Sequence, residues 1–205
     1  MSSSNKKSID FLWHSFLKGD DKSFSIIYQQ HINQLLLYGN KLTTDREMVH
    51  DCLQEIFIYL FLKRKKLGVK IENLNAYLFV ALRNCLIKKI TINRKTESPE
   101  RNHIQDYDFF NIEYSIQDKI IESEISTEIK EKLKVAVGSL SPKQKEIIYL
   151  KFEEEMDYKE ISHILNISVE SARKLLYRAL MSLRKIIHSN TIQFLFFIFS
   201  KKSSF

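Results

Sequence analysis

DYKEISHILNISVESARKLLYRA, residues 157–179, is the stretch that decides how this chain is read: two short amphipathic helices joined by a turn. In the first, Tyr158, Ile161, Ile164 and Leu165 fall on one face. Asp157 stands as N-cap with Glu160 three residues on, the spacing of a capping box in which each side chain accepts from a free backbone N–H. Asn166 falls where the first helix must turn, and asparagine tolerates the left-handed conformation that such a turn uses. Ser168 is placed to cap the second helix, in which Ala172, Leu176, Ala179, Leu180 and Leu183 face inward. That leaves Ser171, Arg173, Lys174, Tyr177 and Arg178 outward, a basic, hydrogen-bond-donating face of the kind a helix in a major groove presents. An ordinary helical hairpin with a solvated Lys/Arg face fits the same spacing, so the rest of the chain has to decide between them.

Composition narrows the fold first. Among 205 residues there are only 4 glycines and 2 prolines, and no alternating pattern bounded by turn residues, so the expected fold is all-α. The net charge of +7 fits a polyanionic partner. It is unevenly spread: between Glu97 and Glu124 eight acids face two bases, a net of −6, which leaves +13 on everything else. The two cysteines, Cys52 and Cys85, each fall on the apolar face of an expected helix and read as small core residues in a reducing cytoplasm, not as a disulfide or metal site. The segment MSSSNKKS lacks the apolar region of a secretory signal. The apolar run Ile192 to Phe199 falls well short of the roughly 20 residues that a bilayer span takes. The expectation is a soluble cytoplasmic protein without stable membrane insertion.

Taken in order, residues 8–18 form a short helix ended by Gly19, and residues 21–42 a second. Thr44 with Glu47 predicts a capping box for the third, where Val49, Cys52, Leu53, Ile56, Phe57 and Leu60 line one face. Its outward side carries Asp51, Gln54, Glu55 and Ile58, a mixture suited to protein contact. The basic run Lys63, Arg64, Lys65 and Lys66 precedes Gly68, and a long helix of about residues 74–95 follows. Leu74, Tyr77, Leu78, Ala81, Leu82 and Cys85 are its expected buried line. Two outward ridges remain, Arg83, Ile87, Ile90, Arg94 and Asn84, Lys88, Thr91, Lys95. Residues 96–124 read as an acidic linker whose aromatics Tyr107, Phe109, Phe110 and Tyr114 predict that it docks on something. Helical spacing resumes at Ile125 and stops at Gly138, and Ser141-Pro142-Lys143-Gln144 starts a helix running to Phe152. The organisation expected is a helical domain at 8–95, a linker at 96–124, a second helical domain at 125–190 and an apolar, basic tail at 191–205.

These features, in this order, resemble a bacterial RNA polymerase sigma factor of the sigma-70 family, extracytoplasmic-function (group four) type, which keeps only regions two and four. DCLQEIFIYLF, from Asp51, is similar to region 2.2, and NLNAYLFVALRNCLIKK, from Asn73, to region 2.4. LSPKQKEIIYLKF and the segment from Tyr158 to Arg184 are similar to region four with its helix-turn-helix. The lysine-rich character and apolar end are similar to the group expanded in Bacteroides-like bacteria. Asn166 stands where the family often has glycine, and Ala172 and Leu175 where relatives often carry a β-branched and a polar residue.

The resemblance implies two DNA-reading ends on one polymerase. Asp51, Gln54, Glu55 and Ile58 would dock on the clamp helices of the largest subunit, with Phe57 packing inside, and the flap would hold region four. Lys63, Arg64, Lys65, Lys66, Arg83, Asn84, Lys88 and Arg94 would bind the minus-ten element, where a base leaves the duplex for a protein pocket. Lys159, Ser171, Arg173, Lys174, Tyr177 and Arg178 would take the minus-thirty-five element. The acidic linker would mimic nucleic acid in the RNA exit channel, and an anti-sigma factor would hold the protein in check. No cofactor, metal or catalytic step is implied: the six histidines are scattered and there is no phosphate-binding glycine loop. The other function the sequence allows is a helix-turn-helix transcriptional regulator that binds DNA on its own, which leaves the Asp51 to Phe61 face without a purpose.

Overall fold

A computed structural model describes residues 3–67, 71, 73–97, 110 and 134–186, and among these every regular element is helical. The chain divides into two compact units, Met1–Phe109 and Phe110–Phe205, with the division inside the acidic stretch.

The first unit is a bundle of α1 (Ser3–Leu17), α2 (Asp21–Leu42), α3 (Arg46–Leu67) and α4 (Leu74–Glu97). Helix α1 begins earlier than its apolar pattern predicts, and it ends at Gly19, whose φ of +110° is one a side chain rarely adopts. Asp20 caps α2 by accepting from the backbone N–H of Lys22 at 3.1 Å and from the Ser23 hydroxyl at 2.6 Å. The capping box expected at Thr44 does not form. Asp45, one residue later, takes the cap by accepting from the Met48 N–H at 2.9 Å, while the Thr43 hydroxyl accepts from the Asp45 N–H. A carboxylate is the stronger acceptor, and it shifts the start of α3 by a residue.

The bundle core is built from Phe16, Ile27, Leu35, Tyr38, Leu53, Leu60, Leu78, Phe79, Leu82 and Leu86, all essentially inaccessible to solvent. Each such side chain contributes about 1.5–3 kcal/mol by leaving water. Phe16 meets Trp13, Phe24 and Phe61 with ring centroids 5.6, 4.7 and 6.0 Å away, so one aromatic cluster joins α1, α2 and α3. Where α2 passes the start of α3, Gly39 leaves no room for a side chain: a Cβ there would stand 2.6 Å from a Val49 methyl. His31 is fully buried, its Nδ1 2.8 Å from the Ile27 carbonyl, and burial pushes its pKa below the ordinary value despite that bond.

Two expectations for this unit are corrected. Cys52 and Cys85 are paired as a disulfide, their Cα atoms 5.9 Å apart, where the sequence pointed to two independent core thiols. They stand 33 positions apart in sequence, and only the packing of α3 on α4 brings them into bonding range. The inward stripe of α4 is also rotated from the expected line: Arg83 (7% exposed), Ile87 and Ile90 are buried while Tyr77, Ala81 and Cys85 are only half-buried, so the ridge expected to face DNA faces the bundle.

In the second unit, 134–138 is helical and buries Ala136 and Val137, after which come α5 (Pro142–Ile148), a π-helical turn (Tyr149–Glu153), α6 (Tyr158–Leu165) and α7 (Val169–Ile186). Ser141 and Gln144 form the expected capping box with Pro142 in the first turn. The helix does not run on unchanged to Phe152, because the backbone widens into the π turn at Tyr149. Phe110, buried to 2%, rests its ring 5.7 Å from that of Tyr149, so one aromatic of the acidic stretch docks on this unit. Tyr107, Phe109, Tyr114 and the rest of the stretch from 98 to 133, and the tail 191–205, lie outside the described residues. No described helix is long and apolar enough to cross a membrane.

Candidate nucleic-acid and protein-binding surfaces

The helix-turn-helix forms as its sequence predicts. Asp157 accepts from the Glu160 N–H and Glu160 accepts from the Asp157 N–H, both at 2.8 Å, so two of the orphan donors at the start of α6 are satisfied reciprocally. Asn166 ends α6 at φ 53°, ψ 50°, the left-handed conformation that lets the chain reverse. The Ser168 hydroxyl then accepts from the Ser171 N–H at 3.0 Å and donates to the Ser171 hydroxyl at 2.9 Å, which starts α7. Ile161 and Ile164 from α6 and Ala172, Leu176, Ala179 and Leu183 from α7 are buried, while Leu175 and Leu180 are half-buried. Alanine at 172 and 179 keeps the inner face of α7 flat, and the outer face is left to water.

That outer face carries the expected residues: Ser171, Arg173, Lys174, Tyr177 and Arg178 are exposed, Tyr177 by 65%, and Lys159 is exposed on α6. Lys174 pairs with Glu170 one turn back at 2.6 Å, and the Arg178 Nε donates to the Lys174 carbonyl at 3.4 Å. Both contacts are local and exposed, so they cost little to exchange for phosphate or base contacts. Arg173 lies with its guanidinium carbon 5.5 Å from the centre of the Tyr158 ring, and Lys151 places its ammonium 5.0 Å from the same ring. One face thus combines three cations, a phenol and a hydroxyl with the inventory for phosphate and base-edge contacts.

In the first unit the expected minus-ten residues divide. Asn84 and Lys88 are exposed side by side on α4, and Lys63 and Lys66 are exposed at the end of α3. Arg83 is corrected to a buried position. Arg64 is turned to the bundle: it pairs with Asp21 of α2 at 2.6 Å and lies 5.7 and 5.6 Å from the Phe16 and Phe61 ring centres. The side chains of Lys65 and Arg94 lie outside the described residues.

The expected protein-contact face of α3 is open at Asp51, Gln54 and Ile58, whereas Glu55 holds Lys89 of α4 at 2.9 Å. Phe57 packs inside, 4% exposed, as expected. The sequence reading missed the partner of this face. Phe24, Tyr28 and Ile32 of α2 join Phe57, Ile58 and Phe61 of α3 to line an open apolar groove that also takes in Asp21 and Gln54. Tyr28, one of the side chains lining it, is 42% exposed. Among the described residues no group of three or more His, Cys, Asp or Glu is arranged to hold a metal ion.

A capped helix-turn-helix with a cationic outer face defines a DNA-binding protein of that class. Comparison with known proteins gives its likenesses. Residues 130–183 match the family described as Sigma-70, region 4. Over 160 residues the chain is 26% identical to the ECF RNA polymerase sigma factor SigM of Bacillus subtilis, covering 78% of this chain and 92% of that one. The fold is similar, with a TM-score of 0.55 and 18% identity, to the sigma factor RpoE of Bartonella quintana solved with the anti-sigma factor NepR, covering 82% of this chain and 99% of that one. Residues 130–183 thus carry the region 4 pattern of sigma-70 factors, and over most of its length the chain is similar to a factor of the extracytoplasmic-function type.

Proposed function

We propose that this protein binds core RNA polymerase and directs it to specific promoters, with α7 reading the minus-thirty-five element and α4 contributing to the minus-ten element. The observation that carries it is the exposed Ser171, Arg173, Lys174, Tyr177, Arg178 face on a capped helix-turn-helix within the matched region. Asn84, Lys88, Lys63 and Lys66 are the minus-ten candidates that stand free of the bundle, with Arg64 held back by Asp21. The α2–α3 groove, with Asp51, Gln54 and Ile58 near it, is the seat for a helix of the polymerase: its apolar floor supplies area and its carboxylate and amide supply orientation. The Bartonella relative was solved with an anti-sigma factor, and a protein partner of that kind is proposed here as the restraint on activity. All bond-making is left to the polymerase, and no cofactor enters.

Co-purification with core polymerase and run-off transcription test this reading. Arg178→Ala should weaken promoter binding and leave core binding intact, and Asp51→Lys should do the reverse. If the protein shifts promoter DNA at equal affinity with and without polymerase and never enters the holoenzyme, it is a stand-alone helix-turn-helix regulator.

A further inference from the structure

Tyr158 occupies the first position of α6, half-buried, and has no expected role in DNA binding. Its ring is nevertheless the meeting point of two cations from different elements: Lys151 from the π turn, 5.0 Å from the ring centre, and Arg173 from α7, 5.5 Å away. Lys151 is itself anchored, because its ammonium donates to the Met156 carbonyl at 3.0 Å, and Met156 is buried. The ring therefore sits against a braced segment, and Arg173 lies against the ring.

We propose that Tyr158 is the positioning residue for Arg173, holding its guanidinium over the reading side of α7 and so setting the base preference at the promoter position that Arg173 contacts. A guanidinium lying against an aromatic face keeps its N–H edge free, and that edge is what reads guanine bidentately. An unrestrained arginine must surrender its rotamer freedom when DNA arrives, and one held beforehand surrenders less. Lys174 shows the contrasting case: its ammonium is engaged by Glu170 of the same helix and, among the described residues, by no ring.

This inference rests on α7 being the promoter-reading helix, and the experiment separates the two. Holoenzymes carrying wild-type protein, Tyr158→Phe, Tyr158→Leu, Tyr158→Met, Arg173→Ala and the double variant Tyr158→Leu/Arg173→Ala are compared on a promoter library randomised through the minus-thirty-five element. Tyr158→Phe, which keeps the ring, should retain the wild-type preference. Tyr158→Leu should lose about two- to five-fold of the discrimination at one position, the size of an exposed cation–π contact. That loss should vanish in the Arg173→Ala background. Tyr158→Met gives the same answer with a smaller disturbance of the α6 start should the leucine variant fold poorly. Unchanged discrimination in Tyr158→Leu and Tyr158→Met alongside its loss in Arg173→Ala overturns the role of Tyr158 alone. Uniform weakening on all sequences in Tyr158→Phe also overturns it, since that is the signature of a hydroxyl on a phosphate. Unchanged discrimination in Arg173→Ala overturns both this role and the assignment of α7.

Discussion

The two units use their charged side chains in opposite ways. In the first, three long cationic residues are drawn into the bundle: Arg64 reaches Asp21, Lys89 reaches Glu55, and Arg83 is buried. In the second, Asp157 and Glu160 satisfy a helix end within a turn of themselves, Lys151 is held by the Met156 carbonyl five residues on, and Arg173, Lys174 and Arg178 stand exposed on α7. The first unit is thus assembled by links between residues 30 or more positions apart, such as the 43-residue step from Asp21 to Arg64 and the 34-residue step from Glu55 to Lys89. The second unit's helix ends are set by steps of three. Long-range links tie the helices of the bundle to one another, whereas local ones leave a helix face open to a ligand.

The largest expected break of this contrast is Phe16→Ala. It empties the centre of the aromatic cluster and should cost the first unit about 3–5 kcal/mol in urea unfolding, with the second unit's transition unmoved. Opening the disulfide comes next. Reduction, or Cys52→Ala with Cys85→Ala, releases a loop of 33 residues and should cost about 3–4 kcal/mol, again confined to the first unit. A second unit that lost stability equally would mean that the two unfold as one body. Asp157→Ala removes a local cap and should cost about 1 kcal/mol, read as lower helicity and midpoint in the second unit only.

The smallest change is graded in pH. His31 has a pKa lowered by burial from 6.5, so between its folded and unfolded values the unfolded chain binds the extra proton. Its contribution to first-unit stability is present above pH 6.5 and is lost as pH falls below it. His31→Leu should flatten the dependence seen in denaturation midpoints between pH 7 and 5, and an unchanged slope would remove His31 from the account.

The same contrast explains what the sequence made legible. Caps, turn residues and i, i+3, i+4 spacing are local, so the helix-turn-helix was readable down to Asn166 and the exposed face of α7. The α2–α3 groove, the Asp21–Arg64 pair and the Cys52–Cys85 bond depend on how helices cross, and no short-range pattern carries that. The misread ridge on α4 has the same origin. Arginine at an i+4 step from Ile87 looks solvated on a helical wheel, and only the neighbours packed around it reveal that Arg83 is covered. Where Asp45 displaced Thr44 as a cap the signal was local, and the sequence reading passed over the stronger acceptor beside it.

Gly39 acts at a distance. Its missing side chain lets α2 and α3 touch near the short link that joins them, and the groove lies further along the same two helices. A single methyl inserted there would stand 2.6 Å from a Val49 methyl, so either that side chain or the helix pair must give way. The width of the α2–α3 groove is therefore tied to an atom that is absent, at a residue outside the groove's own lining.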